Sequence, residues 1–211
     1  MSTTAEDRLS ARDLGKERHR LKLIEATANA ILEHGLAAVS VSRILEHAGL
    51  SRGMINLHFT SKANLLLEVA RHFSDAYANH WQAAMNKAGP RPEDRLRAIV
   101  EADFDPAVLN RRTMAIWFAF RGEAHSNPDY MPFIDSREGP MTKAVHDICS
   151  EICAGGTYPE VDPTKAARAF TIALEGLWTD FHLHPNSFSR DEARSIVLHM
   201  ARTFFPQHFG D

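Results

Sequence analysis

Apolar residues recur along this chain at three- and four-residue spacing and almost never in strict alternation, the pattern of helices with one buried face. Leu23, Ile24, Thr27, Ala30 and Ile31 form one such stripe, which predicts a helix from near Lys16 to Gly35, a residue suited to a C-terminal cap. Ile44, Leu45 and Ala48 form the inner face of a short helix over 40–49, with Ser40 placed to cap it and Gly49 to break it. A second short helix follows over 52–59, with Ser51 as its cap and Ile55 and Phe59 on its buried side. Thr60, Ser61 and Lys62 make a turn into a helix whose face includes Leu65, Leu66, Val69, Phe73 and Tyr77. Gly89-Pro90-Arg91-Pro92 interrupts the chain. Beyond it the spacing predicts helices over 93–104, 106–125, 129–154, 163–184 and 190–205, the third bent or divided by Pro132, Gly139 and Pro140. No segment reads as strand, repeat or low-complexity tract, so the fold class expected is all-α.

The two short helices carry the strongest signal. Ala48 and Gly49 are small enough to let the helices approach closely, Leu50 plugs the corner, and Ile44, Ile55 and Phe59 supply a shared core. This is helix-turn-helix geometry, which holds one helix rigidly so that its outer side fits the major groove. Helical hairpins of this kind also occur in proteins that never touch DNA.

Composition changes the picture little. Of 211 residues, 44% are apolar and 24% charged, which suits a folded protein with a real core. The longest apolar runs, such as 115–120, are far too short to span a bilayer, and the N-terminus lacks the apolar stretch of a secretory signal. The expectation is a soluble cytoplasmic protein with no membrane partner. Cys149 and Cys153 stack on one helix face and read as small buried side chains, a redox switch being the minor alternative. Charge is more informative by position than in sum. Residues 8–62 hold nine Lys/Arg and five acids, a net +4, on a chain whose total is −3. A basic front on an acidic body suits a polyanionic partner.

At this point the residues become specific. Ala48-Gly49-Leu50-Ser51-Arg52-Gly53-Met54-Ile55-Asn56-Leu57-His58-Phe59-Thr60-Ser61-Lys62-Ala63-Asn64-Leu65 resembles the signature of the tetracycline-repressor family, and Ile24-Glu25-Ala26 with Gly35 resembles its first helix. The resemblance covers about residues 18–70. It implies a flexible arm over 1–15, an N-terminal three-helix helix-turn-helix DNA-binding domain over 16–62 and a C-terminal helical effector-binding and dimerisation domain over 63–211. It further implies a homodimer on a palindromic double-stranded operator, released by a small-molecule effector. Asn56 and Leu57 depart from the aromatic and His residues usual at their positions, so the operator should be unusual.

Roles follow on physical grounds. Arg52 is long enough for a guanine edge or a phosphate, and Gly53 allows close backbone approach. Met54 and Asn56 project outward, Asn56 being a good reader of adenine, and Leu57 suits a thymine methyl. The resemblance implies phosphate contacts at His58, Lys62 and the Ser40 cap region, with Ser51 in the same interface; Lys16, Arg18 and Arg20 could form an arm on the DNA, whereas Arg8 and Arg12 read as solvated surface.

Two further segments, 114–124 with Trp117, Phe120 and Glu123, and 173–180 with Glu175 and Trp178, are similar to a subgroup of that family typified by the regulator of glycine-betaine synthesis from choline. That implies a quaternary-ammonium effector, which aromatic faces attract. Phe73, Tyr77, Phe104, Trp117, Phe120 and Trp178 are the candidate cage, and Glu123 or Glu175 the counter-charge; an ordinary aromatic core is the plainer reading of any single ring. In that family the last two long helices form the dimer interface, so the resemblance implies that Phe170, Leu174, Leu177 and Phe181, with Ile196 and Met200, lie in it. No phosphate-binding loop, dinucleotide fingerprint or serine elbow is present, and His182 and His184 point to different sides of a helix. An enzyme, a cofactor and a metal are therefore not expected. The alternative kept open is a helical ligand-binding protein with a vestigial DNA-binding motif.

Overall fold

The computed structural model describes residues 11–210, and every regular element among them is helical. Arg8, the side chain of Arg12 and most of the arm lie outside the described residues.

The chain divides into two compact units, Met1–His72 and Phe73–Asp211. The first begins with α1 (Ala11–His34), five residues before the start predicted at Lys16, so residues 11–15 are helix rather than arm. Its predicted stripe is its buried face: Leu23, Ile24, Thr27, Ala30 and Ile31 are all at most 3% exposed. Thr27 satisfies its buried hydroxyl by donating to the Leu23 carbonyl at 2.7 Å, the bond a helical threonine makes without leaving the helix. Gly35 ends α1 at φ 76°, a 3₁₀ turn over Leu36–Ala38 follows, and Leu36 and Val39 are buried.

Helix α2 (Val41–Ala48) starts at Ser40, whose hydroxyl accepts from the Arg43 N–H, and ends at Gly49 in the left-handed region. Ile44 and Ala48 are buried as expected; Leu45 is only half-buried. Helix α3 (Gly53–Phe59) buries Ile55 and Phe59. Its start differs from expectation. The Met54 N–H bonds to the Ser51 carbonyl, and no side chain caps the helix, so Ser51 contributes backbone and not its hydroxyl. Helix α4 (Lys62–Lys87) begins in the first unit and ends in the second. Leu65, Leu66 and Val69 complete the first unit's core, which is why that unit runs to His72 rather than to the boundary drawn at residue 62.

The second unit holds α5 (Pro92–Asp103), α6 (Arg111–Glu123), α7 (Met131–Ile134), α8 (Pro140–Gly155), α9 (Pro163–Leu183), α10 (Arg190–Phe204) and α11 (Pro206–Phe209). Residues 106–110 are turns instead of the predicted first turn of α6. Asn110 accepts from the Thr113 N–H and sets the true start. Pro140 at the first position of α8 makes the division that 129–154 suggested. Asp162 caps α9 through the Thr164 and Lys165 amides. The core joins Leu96 and Ile99 of α5, Ile148 and Ile152 of α8, Phe170 and Leu174 of α9, and Val197 of α10. Cys149 and Cys153 are both free thiols; burial pushes Cys149 up to about 12, leaving it protonated and inert.

Candidate nucleic-acid interface and buried aromatic cage

In the first unit, chemistry follows from which side of α3 is buried. Ile55 and Phe59 anchor the helix, so the residues between them face out. Arg52, Gly53, Asn56 and Leu57 are exposed, Leu57 by 66%, and Met54 is half-exposed. A Cβ built on Gly53 would meet nothing within 4 Å, so a flat surface can approach the backbone there. This contiguous face offers a guanidinium, an amide and an apolar contact, a set that reads base edges.

His58 points elsewhere. Both its ring nitrogens are out of water without a partner, and the ring stands edge-on to His19 at 6.3 Å. Burial first, then the positive charges of His19, Lys16 and Arg20, hold its pKa below the ordinary value. His58 thus lies between α3 and α1, with neither ring nitrogen exposed at the surface. Arg20 is also occupied: it pairs with Glu68 and Glu17, and its guanidinium lies 5.6 Å from the centre of the Phe59 ring. It belongs to the scaffold and not to an arm. Lys62 donates to the Val39 carbonyl at 2.9 Å, tying the start of α4 to the turn that carries the Ser40 cap.

The join between α3 and α4 is strained. Thr60 has φ 66° and ψ −37°, a region a β-branched residue avoids, and the Ser61 N–H bonds to the Phe59 carbonyl across it in a γ-turn. Asn64 Nδ2 holds the Thr60 hydroxyl at 2.7 Å, and the Ser61 hydroxyl accepts from the Asn64 N–H.

In the second unit three of the named aromatics come together. Tyr77 of α4, Trp117 of α6 and Trp178 of α9 meet edge to face, with centroids 5.0, 5.5 and 6.4 Å apart. Between them is a residue the sequence analysis missed. Asp103, at the end of α5, is fully buried, accepting from the Tyr77 hydroxyl at 2.7 Å and from Trp178 Nε1 at 2.8 Å. Burial pushes its carboxyl up to about 7, against the pull of those two hydrogen bonds. The same burial, and the neighbouring carboxylate, raise the Tyr77 phenol well above its usual range. Trp117 Nε1 is buried and has no partner. A signal for Asp103 existed: it continues the stripe of Leu96, Ile99 and Val100, a carboxylate at a core position.

The other candidates fall elsewhere. Phe120 packs on Tyr130 at 4.9 Å, Phe104 is sealed in the core, and Phe73 is half-buried on α4. Glu175 is taken by Arg121 and Ser136. Glu123 lies six residues, about 9 Å of helix, past Trp117. The carboxylate that stands beside these rings is therefore Asp103, rather than either glutamate. A separate cavity of about 200 Å³ is lined by Arg111, Met114, Ala115, Phe181, His182 and Pro185. With a guanidinium and no carboxylate, it does not suit a cation.

Of the expected interface residues, Phe170, Leu174 and Phe181 are spent on the protomer's own core, at 1%, 3% and 5% exposure. Leu177 and Met200 are half-buried and Ile196 is exposed. The outward face of α9 carries Ile172, Gly176, Thr179 and Leu183, with Ile172 53% and Leu183 65% exposed. The helical period explains the shift: 170, 174, 177 and 181 form one stripe, and 172, 176, 179 and 183 the opposite one. Among the described residues no helix is long and apolar enough to cross a membrane.

Residues 23–69 match the family described as bacterial regulatory proteins of the tetR family, and residues 92–206 match the C-terminal domain of BetI-type transcriptional repressors. The HTH-type transcriptional regulator BetI of Yersinia pestis (strain Pestoides F) is 32% identical over 185 residues, 84% of this chain and 88% of that protein. BetI 2 of Chromohalobacter salexigens is 30% identical over 200 residues, 90% of each. Among solved structures, a transcriptional regulator from Pseudomonas aeruginosa PAO1 superposes with a TM-score of 0.83 at 25% identity, covering 97% of both chains. A regulator from Saccharomonospora viridis in complex with choline has the same fold, with a TM-score of 0.75 at 20% identity over 88% of this chain and 96% of that one.

Proposed function

The chain belongs to the tetR family of bacterial transcriptional regulators with a BetI-type C-terminal domain, and from that premise we propose that it is a dimeric repressor released from a palindromic operator by a quaternary ammonium compound such as choline. The observation that carries the effector reading is the buried carboxylate of Asp103 beside three aromatic rings. A quaternary ammonium ion cannot donate a conventional N–H hydrogen bond; it is held by ring faces and by a formal negative charge in a site poor in water. Each ring contributes about 0.5–2 kcal/mol, the larger value where the cation is desolvated. The orphaned Trp117 Nε1 supplies a donor for an oxygen on the same molecule, such as the hydroxyl of choline.

With centroids 5.0–6.4 Å apart the three rings touch one another, so a cation seated between their faces would have to part them. That requirement gives an effector different contacts in two conformations, which is what any ligand-driven shift needs. On the DNA side, Arg52, Met54, Asn56 and Leu57 read bases, and Gly53 lets the helix seat closely. Ser40 and Lys62 hold the turn before α2. One such helix reads a half-site, and a twofold dimer reads two of them about 34 Å apart. The exposed stripe of Ile172, Gly176, Thr179 and Leu183, with Ile196, is the face we assign to the partner copy. Gly176 would let the two helices approach closely, because a Cβ there would meet nothing within 4 Å. The protein would work in the cytoplasm, where its operator is.

The test is selection of duplex DNA from a random pool by the full-length protein at physiological ionic strength. A palindrome is expected, with recognition degraded by Asn56→Ala and Arg52→Ala, and affinity falling steeply with salt. A folded protein that enriches no sequence with or without choline would instead favour a ligand-binding protein whose helix-turn-helix is vestigial.

A further inference from the structure

The first unit carries a cluster that neither DNA reading nor effector binding uses. Glu33 and His34 are the last two residues of α1, and His47 is the second-last of α2. The ligand atoms of the three side chains all lie within 4.8 Å of one another. Glu33 bridges the pair: one carboxylate oxygen is 3.2 Å from His47 Nε2 and the other 3.7 Å from His34 Nε2. Two imidazoles and one carboxylate converge although they come from two helices and are separated by a 3₁₀ turn.

The backbone explains the convergence. Both helices end at a left-handed or positive-φ glycine, Gly35 at φ 76° and Gly49 at φ 57°, and so their C-terminal turns are fixed. All three side chains also sit at helix C-termini, the negative pole of a helix. The potential there favours a cation before any ligand is counted. The two histidine side chains are only about a quarter exposed, at 25% and 26%, so their orientation is restrained by packing, while Glu33 at 59% remains free to swing.

We propose that Glu33, His34 and His47 form a binding site for a borderline divalent transition-metal ion, Zn²⁺ being the probe of choice. The donor set decides the class. Two imidazole nitrogens exclude Mg²⁺ and Ca²⁺, which take oxygen ligands, and suit Zn²⁺, whose tetrahedral sites mix histidine and carboxylate. Three protein ligands leave one position for water. Zn–N and Zn–O distances of about 2.0–2.2 Å put neighbouring ligand atoms about 3.3 Å apart. The present spacing therefore needs only a small closing of side chains. The bound ion would clamp the end of α1 to the end of α2 and stiffen the scaffold that carries α3.

The experiment is calorimetric titration of chelator-treated full-length protein with ZnCl₂, alongside thermal unfolding with and without the metal. Wild type is compared with His34→Gln, His47→Gln and Glu33→Gln. The expected result is one equivalent of Zn²⁺ per chain that weakens at least about tenfold in each variant, together with a rise in unfolding temperature that the variants lose. Glu33→Gln, the most exposed of the three positions, serves if a histidine variant does not fold. No such equivalent in wild type overturns the assignment. So does an equivalent that persists in all folded variants, since the chain's 12 histidines offer other places for adventitious metal.

Discussion

The two units keep their chemistry in opposite places. In the first, the candidate groups are contiguous in sequence and exposed, on one side of a seven-residue helix whose other side is core. In the second, Asp103 and Trp178 are buried and Tyr77 and Trp117 half-buried against the core, and they come from residues 77, 103, 117 and 178, on four different helices. The difference matches the partners. A duplex is large and cannot be engulfed, so it is read by a rigid protruding surface. A small cation is held only where water is excluded, so its site must lie inside the bundle. On the proposed reading, the first unit is stable and already shaped for its target, while the second has to move to admit a cation.

Substitutions can break that contrast, and the largest effect belongs to the buried side. Trp178→Ala removes a ring that is 6% exposed and leaves Asp103 short of a donor. A loss of about 3–5 kcal/mol is expected in chemical denaturation, together with loss of choline binding. Asn56→Ala, on the exposed side, should leave the unfolding curve nearly unchanged and cost about 1–3 kcal/mol of operator affinity, confined to one base position in each half-site.

The pH dependence sharpens the comparison. Asp103, raised from 3.8 to about 7, is charged only above that value. Choline affinity should then rise with pH up to about 7, approaching tenfold per unit below it, or about 1.4 kcal/mol. Stability runs the other way. The folded state holds the Asp103 proton more tightly than the unfolded chain, so this contribution is complete below pH 3.8 and is lost as pH rises through about 7. Asp103→Asn should flatten both slopes. His58, whose pKa is lowered, gives the first unit the opposite dependence: its contribution is present above the ordinary value of 6.5 and is lost as pH falls below it. The smallest effect is at Ser40. Ser40→Ala removes the α2 cap and should cost about 1 kcal/mol, seen as a modest fall in unfolding temperature.

The contrast also explains what could be read in the sequence. Helices α2 and α3 were legible because Ser40, Gly49, Ile55 and Phe59 mark caps, a break and a buried side at fixed local spacing. The exposure of Arg52, Gly53, Asn56 and Leu57 followed directly. His58 was grouped with them because it is their neighbour in sequence, but its ring nitrogens are out of water beside His19 of α1, which local spacing does not show. In the second unit, Tyr77, Trp117 and Trp178 could be named as aromatics on apolar helices, yet their convergence depends on how α4, α6 and α9 pack, which no local spacing encodes. Asp103 was passed over because a single acid among apolar residues looks like surface until its helix is placed. The α9 face was assigned from its apolar stripe and the family resemblance, neither of which tells a core face from an interface; Phe170, Leu174 and Phe181 are buried in the chain's own core.

The most direct measurement is the anisotropy of labelled operator bound to the full-length protein, titrated with choline and, in parallel, with its uncharged isostere 3,3-dimethylbutanol, at a pH above 7 where Asp103 is ionised. Release by choline alone, abolished by Asp103→Asn while that variant still binds operator, is the expected result. Equal release by the neutral isostere, or release by choline that Asp103→Asn leaves intact, would contradict a cage that works through charge.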